Sequence, residues 1–159
     1  MLQYFSFSIA IAFISWIVGM ILNAMFAKTD FYQAHLLSLN FIKNEQLNAL
    51  LGLEPFKWII MHSFFKYLNP KLSIKKKIVP AELAVYRAEM TLAELNHLFA
   101  FAFMLLFVAF KLFQGLYLFA LVLLVVNVLT NLYPSLLQQQ NKRRIDRYMA
   151  VLQRRSVSA

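Results

Sequence analysis

Two stretches of this chain, Met1 to Ala27 and Leu112 to Gln140, contain no Asp, Glu, Lys, Arg or His. About 20 apolar residues suffice to cross a hydrocarbon core of about 30 Å, so each stretch is long enough to span a bilayer. A third run, Leu98 to Phe110, has 13 uncharged residues and ends at Lys111. To reach spanning length it must extend back through His97, Asn96 and Leu95, which brings polar groups into the membrane boundary. Composition agrees: 61% of residues are apolar and 14% charged, against about half and about a quarter in a soluble domain.

These runs predict an all-α integral membrane protein, a single membrane domain over residues 1–159 with three transmembrane helices. The spans fall at about 2–27, 94–111 and 113–133. A cytoplasmic or interfacial segment covers 28–93, and a basic tail covers 138–159. The N-terminal run has no basic n-region, a long apolar stretch and no small-x-small cleavage site, so it reads as a retained span. With no cysteine, disulfides, thiolate metal sites and a cysteine nucleophile are excluded.

The net charge is +9, with the basic residues gathered in Lys57 to Lys77 and Lys142 to Arg155. Both clusters flank hydrophobic spans. Positive loops stay in the cytoplasm and are drawn to anionic headgroups, so topology explains the charge without nucleic acid. The expected placement is a bacterial cytoplasmic (inner) membrane, with the N-terminus outside and the C-terminus inside. Residues 56–68 are the only candidate for a fourth span. Lys57 and Lys66 interrupt them, and the aromatic residues Phe56, Trp58, Phe64, Phe65 and Tyr67 suit an interfacial or re-entrant helix. Residues 31–53 are expected to form a short helix ended near Gly52 and Pro55. Asn69-Pro70 marks a turn, and Pro80 opens a helix that runs to about Lys111.

The polar residues of the second and third helices are patterned. At about 100° per residue, Glu89, Tyr86, His97 and Glu94 fall on one face. On the third helix, Asn127, Asn131, Pro134, Gln138 and Asn141 recur at spacings of four, three, four and three. They share one stripe if the helix continues through Pro134. Unpaired amides in hydrocarbon cost several kcal/mol each, so this stripe faces protein, substrate or water. His97 lies 14 residues before Lys111 and Asn127 lies 16 after it. In a hairpin closed near Lys111 to Gly115 they therefore sit at matched depth.

The pattern Glu89-x4-Glu94-x2-His97, followed by Asn127-x3-Asn131-x2-Pro134-x3-Gln138-x2-Asn141-Lys142-Arg143-Arg144, resembles the glycosyl-4,4'-diaponeurosporenoate acyltransferase family of small membrane proteins. Ala93-Glu94 and His97 match one block of that family. Asn127, Asn131, Pro134, Gln138 and Asn141 match another. Asn23 after Gly19, and Leu51-Gly52-Leu53 with Lys57-Trp58, are similar as well. The chain departs at Gln139-Gln140, where the family has Arg-Tyr, at Lys142 in place of Arg, and at Leu98 in place of an aromatic residue.

The resemblance implies acyl transfer from a cytosolic thioester, acyl-CoA or acyl carrier protein, to a hydroxyl of a lipid-like acceptor such as a glycosylated carotenoid or glycolipid. His97 is the candidate general base, with Glu94 or Glu89 orienting it. Asn127 and Asn131 are candidates for polarising the reacting carbonyl or holding the acceptor. Gln138, Asn141, Lys142, Arg143 and Arg144 complete the candidate binding set, the basic residues facing the donor's phosphates. No cofactor is expected beyond the donor. One central histidine argues against a metal site. His35 and His62 read as interfacial side chains. Intramembrane polar groups also glue helices together. The same seam therefore fits an accessory subunit docked on a membrane-protein partner, or a lipid-binding or lipid-moving protein.

Overall fold

A computed structural model describes residues 1–39, 42, 45–63 and 82–157. These form α1 (Leu2–Phe26), a π-turn (Tyr32–Leu36), α2 (Glu45–Leu50), α3 (Leu53–His62), α4 (Leu83–Phe113), α5 (Tyr117–Asn127), a second π-turn (Val128–Leu132) and α6 (Tyr133–Val157). No strand occurs among the described residues. Three helical stretches are long and apolar enough to cross a membrane: Leu2–Phe26, Leu83–Phe113 and Tyr117–Arg155. The all-α class and three spanning helices are as expected. The chain divides into two compact units, residues 1–39 with 92–135, and residues 40–91 with 136–159.

The first unit holds α1, the lower-numbered π-turn, most of α4, and the α5 hairpin through Ser135. In α1 the buried residues are Ser8, Ile11, Ala12, Ser15, Gly19 and Asn23, while Phe13, Ile17, Met20 and Ile21 are exposed. That is the reverse of a soluble helix. Lipid solvates the large apolar residues, and the small and polar ones mark the face where helices meet. The buried core joins Ile11 and Ala12 to Met104, Val108, Phe119, Ala120 and Leu123. Tyr4 stacks on Phe119 at 4.3 Å.

Gly19 shows how near α1 and α4 come. A Cβ there would lie 2.3 Å from the Asn96 carbonyl oxygen and 3.0 Å from the Ala100 methyl. Only glycine permits the approach.

The hairpin between α4 and α5 closes as expected near Lys111 to Gly115. Gly115 takes φ +70°. Its N–H donates to Leu112 O at 2.9 Å, and Leu116 N–H donates to Lys111 O at 3.0 Å. This is the Schellman pattern, which satisfies carbonyls that the helix end would otherwise orphan. The Lys111 ammonium donates to Gln114 Oε1 at 2.9 Å and sits 5.0 Å from the Phe119 ring centroid.

The second unit contains α2, α3, the first turns of α4 and most of α6. Leu83, Met90 and Ile145 form its buried apolar cluster. Arg87 Nε donates to Asp146 Oδ1 at 2.5 Å. In place of the short helix expected over 31–53, the first unit has the π-turn Tyr32–Leu36 and the second has α2. Gly52, at φ +68°, separates α2 from α3. Pro55 does not end a helix. It sits in the first turn of α3, where a missing N–H costs nothing. The segment 56–68 is helical through His62. Its remainder from Phe64, with the Asn69-Pro70 turn and the Pro80 helix start, lies outside the described residues.

Candidate functional site

The polar residues of the first unit converge on the second π-turn. Pro134 has no N–H, so the Thr130 carbonyl loses the donor that an α-helical register would supply. Just before it the backbone widens into the π-turn Val128–Leu132, a distortion frequent at functional sites. Trp16 of α1 supplies the missing donor. Its indole Nε1 lies 3.4 Å from Thr130 O and donates to Asn131 Oδ1 at 3.0 Å.

Asn131 passes the chain on. Its Nδ2 donates to Asn127 Oδ1 at 2.8 Å and lies 3.3 Å from Ser15 Oγ. Asn127 Nδ2 donates to Phe101 O at 3.0 Å. Asn127 and Asn131 are both fully buried. Ser15 Oγ in turn donates to Ala12 O at 2.7 Å. The result is a directional line of donors running Trp16, Asn131, Asn127, Phe101, which ties α1, α4 and the α5 hairpin together.

His97 stands beside this line. Its ring lies 6.3 Å from the Trp16 ring, at 87°, and Asn131 is its polar side-chain neighbour. The imidazole Nδ1 is buried and has no hydrogen-bond partner among the described residues. A buried ring nitrogen without a partner is costly, on the order of 1–3 kcal/mol. It therefore marks a position where a hydroxyl would be stabilising. Glu94, one turn earlier on α4, is fully buried and engaged by a partner of its own.

A second amide pair lies nearer the start of the α4 span. Asn23 Nδ2 donates to Asn96 Oδ1 at 2.6 Å and to Leu92 O at 3.2 Å. Tyr32 of the first π-turn is buried. Burial pushes its phenol above the usual tyrosine range, and the hydrogen bond to Asn23 partly offsets this.

Of the residues singled out by sequence, the structure brings His97, Glu94, Asn127 and Asn131 together in the first unit. Glu89, Gln138, Asn141, Lys142, Arg143 and Arg144 belong to the second. Within that unit Gln138, Gln139 and Lys142 are buried, Arg143 Nη1 donates to the Ile42 carbonyl, and Arg144 lies 3.9 Å from Glu54. Lys57 shares this neighbourhood. Burial lowers its ammonium below the usual lysine range, nearby Arg144 lowers it further, and Glu54 opposes both. Among the described residues no group of His, Asp and Glu could hold a metal ion.

Trp16 and Ser15 escaped the sequence reading, which took Asn96 only as a polar residue entering the membrane boundary. The signal was present in α1, where Ser8, Ser15, Gly19 and Asn23 recur at helical spacing in an otherwise apolar run.

A family model described as glycosyl-4,4'-diaponeurosporenoate acyltransferase matches residues 28–151, most of the chain. No curated protein and no solved structure matches.

Proposed function

From the premise that the chain belongs to the glycosyl-4,4'-diaponeurosporenoate acyltransferase family, we propose that it moves a fatty acyl group from a cytosolic thioester to a hydroxyl of a lipid-like acceptor, with His97 as general base. The family is one of acyltransferases in carotenoid biosynthesis, so a glycosylated carotenoid or related glycolipid is the acceptor this reading favours. The observation that carries it is the buried Nδ1 of His97, without a hydrogen-bond partner among the described residues, beside the Trp16–Asn131–Asn127 line.

In this mechanism the acceptor hydroxyl donates to His97 Nδ1. As its oxygen attacks the thioester carbonyl carbon, the proton passes to the imidazole. The tetrahedral intermediate collapses with cleavage of the C–S bond. The imidazolium returns the proton to the departing thiolate, leaving an ester and a free thiol. Asn131 spends its amide hydrogens on Asn127 and Ser15, so its part is to hold the wall against which His97 rests. Asn127 commits one hydrogen to Phe101, and its second is the donor for the developing oxyanion. Glu94, one turn earlier on α4, is the candidate for orienting the imidazole.

The tendency of positive segments to stay in the cytoplasm supports, for this reading, a bacterial inner membrane with the basic residues of α3 and α6 inside and the N-terminus outside. The second reading, an accessory subunit, is favoured by the bonds that Asn127 and Asn131 make to neighbouring helices, which glue alone would also produce. The experiment that separates the two supplies labelled acyl-CoA, or labelled acyl carrier protein, to membranes containing the protein and a host lipid extract. A labelled ester supports the enzyme. No label from either donor, with a co-purifying membrane partner, supports the subunit.

A further inference from the structure

Lys142, Arg143 and Arg144 are consecutive in sequence but differ in their surroundings. Lys142 is 2% exposed, and Arg143 donates to the Ile42 carbonyl. Arg144 is the exposed one, with 53% of its side chain open. Its cationic neighbour comes from another helix.

Glu54 and Lys57 lie one turn apart on α3, and Gln140 and Arg144 lie one turn apart on α6. Gln140 Nε2 donates to Glu54 Oε1 at 3.0 Å, and Arg144 Nη2 lies 3.9 Å from the same oxygen. Two contacts to one atom thus bring these turns of α3 and α6 together. Lys57 is half-buried, and the charges of Arg144 and Glu54 both reach it.

The cluster carries two cations and one carboxylate. Charge-assisted N–H···O bonds run about 2.7–2.9 Å, so at 3.9 Å Arg144 is not hydrogen-bonded to Glu54. Neither its guanidinium nor the Lys57 ammonium has a hydrogen-bond acceptor among the described residues. These helices offer no further carboxylate. Glu54 is the acidic residue of α3, and Asp146, that of α6, is held by Arg87.

Two like charges repel more where burial has removed part of their water. An anion with several acceptor oxygens relieves the repulsion. A phosphate ester can meet the guanidinium fork with one edge and the ammonium with another oxygen. Trp58 and Ile59, next to Lys57 on α3, are 62% and 55% exposed, so apolar surface borders the pair.

We propose that Lys57 of α3 and Arg144 of α6 form a binding site for the phosphate of an amphiphilic phosphate ester, with Glu54 as the internal carboxylate that competes for Arg144. The site goes beyond the acyl-transfer reading, since a phosphate would bind there whether or not a thioester is cleaved. Two sources present this chemistry, an acyl-coenzyme A and a phospholipid headgroup.

The test is calorimetric titration of the full-length protein in maltoside micelles, which contain no phosphate. The probes are an S-alkyl coenzyme A thioether and a short-chain phosphatidylglycerol. Lys57→Gln and Arg144→Gln are each expected to weaken binding by about tenfold or more, as for loss of a hydrogen bond between charged groups. Glu54→Gln is expected to tighten it, because the competing charge is gone while an amide oxygen still accepts from Gln140. Arg155→Gln, about three turns farther along α6, should leave affinity unchanged. Whichever probe binds identifies the source, and binding of both supports a site for phosphate esters generally. Equal weakening by Arg155→Gln overturns the proposal by reducing it to the charge of the tail. Unchanged affinity in Lys57→Gln or Arg144→Gln overturns it, as does a wild type that binds neither probe. Weaker binding by Glu54→Gln overturns it too, by showing that the carboxylate supports the fold or the ligand and does not compete.

Discussion

The indole Nε1 of Trp16 donates to Asn131 Oδ1 at 3.0 Å, linking residues 115 positions apart in sequence. The bond exists because Pro134 leaves the preceding turn short of a donor and the backbone relaxes into a π-turn around Asn131. Trp16→Phe keeps the ring but leaves Asn131 Oδ1 buried without its donor. A loss of about 1–3 kcal/mol is expected, above the roughly 0.6 kcal/mol of an average interhelical hydrogen bond in a bilayer. Denaturant titration in micelles reads it. Adding Asn131→Leu to Trp16→Phe should cost less than the sum of the two single changes.

Gly19 sets the separation of α1 from α4. Gly19→Ala puts a methyl 2.3 Å from Asn96 O, so the helices must part and the 2.6 Å Asn23–Asn96 bond must lengthen. Overpacking of this kind costs about 1–3 kcal/mol. Thermal unfolding of Gly19→Ala should show it, while Met20→Ala, on the exposed face, should leave the transition nearly unmoved.

Lys57 gives a pH signature. Its folded pKa is lowered by burial and by Arg144, against Glu54. The unfolded chain then binds the proton more tightly, so stability rises with pH from the folded pKa up to the ordinary lysine value and is flat above it. Arg144→Gln should raise the Lys57 pKa, and Glu54→Gln should lower it further. The pH dependence of amine acetylation at Lys57, followed by mass spectrometry, measures both shifts.

The Arg87–Asp146 pair is close, at 2.5 Å, but its side chains are 33% and 42% exposed. Solvent screens pairs of this kind to about 0–1 kcal/mol. Asp146→Asn should therefore change unfolding by no more than that, and the change should shrink in high salt. A loss of several kcal/mol would mean the pair is shielded in the folded protein.

The spans, the hairpin at Gly115 and the grouping of His97 with Asn127 and Asn131 were legible in the sequence. Charge-free length and matched depth are one-dimensional properties, and membrane crossing makes them decisive. The part played by Trp16 was not legible, because it depends on a carbonyl freed by a proline on another helix. Nor was the π-turn, whose extra residue per turn alters the register that a helical wheel assumes. Pro55 was misread as a stop because its place in the first turn depends on Gly52 adopting a left-handed conformation.

His97 is the residue on which the functional account turns. The most direct measurement is acyl transfer from labelled thioester donor to host lipid, in membranes holding equal amounts of wild-type or His97→Ala protein. The account predicts a loss of at least about 100-fold, as befits removal of a general base; Nδ1 has no hydrogen-bond partner among the described residues, so no bond made by that nitrogen there is lost with it. A variant that forms the labelled lipid as fast as wild type would contradict the general-base assignment.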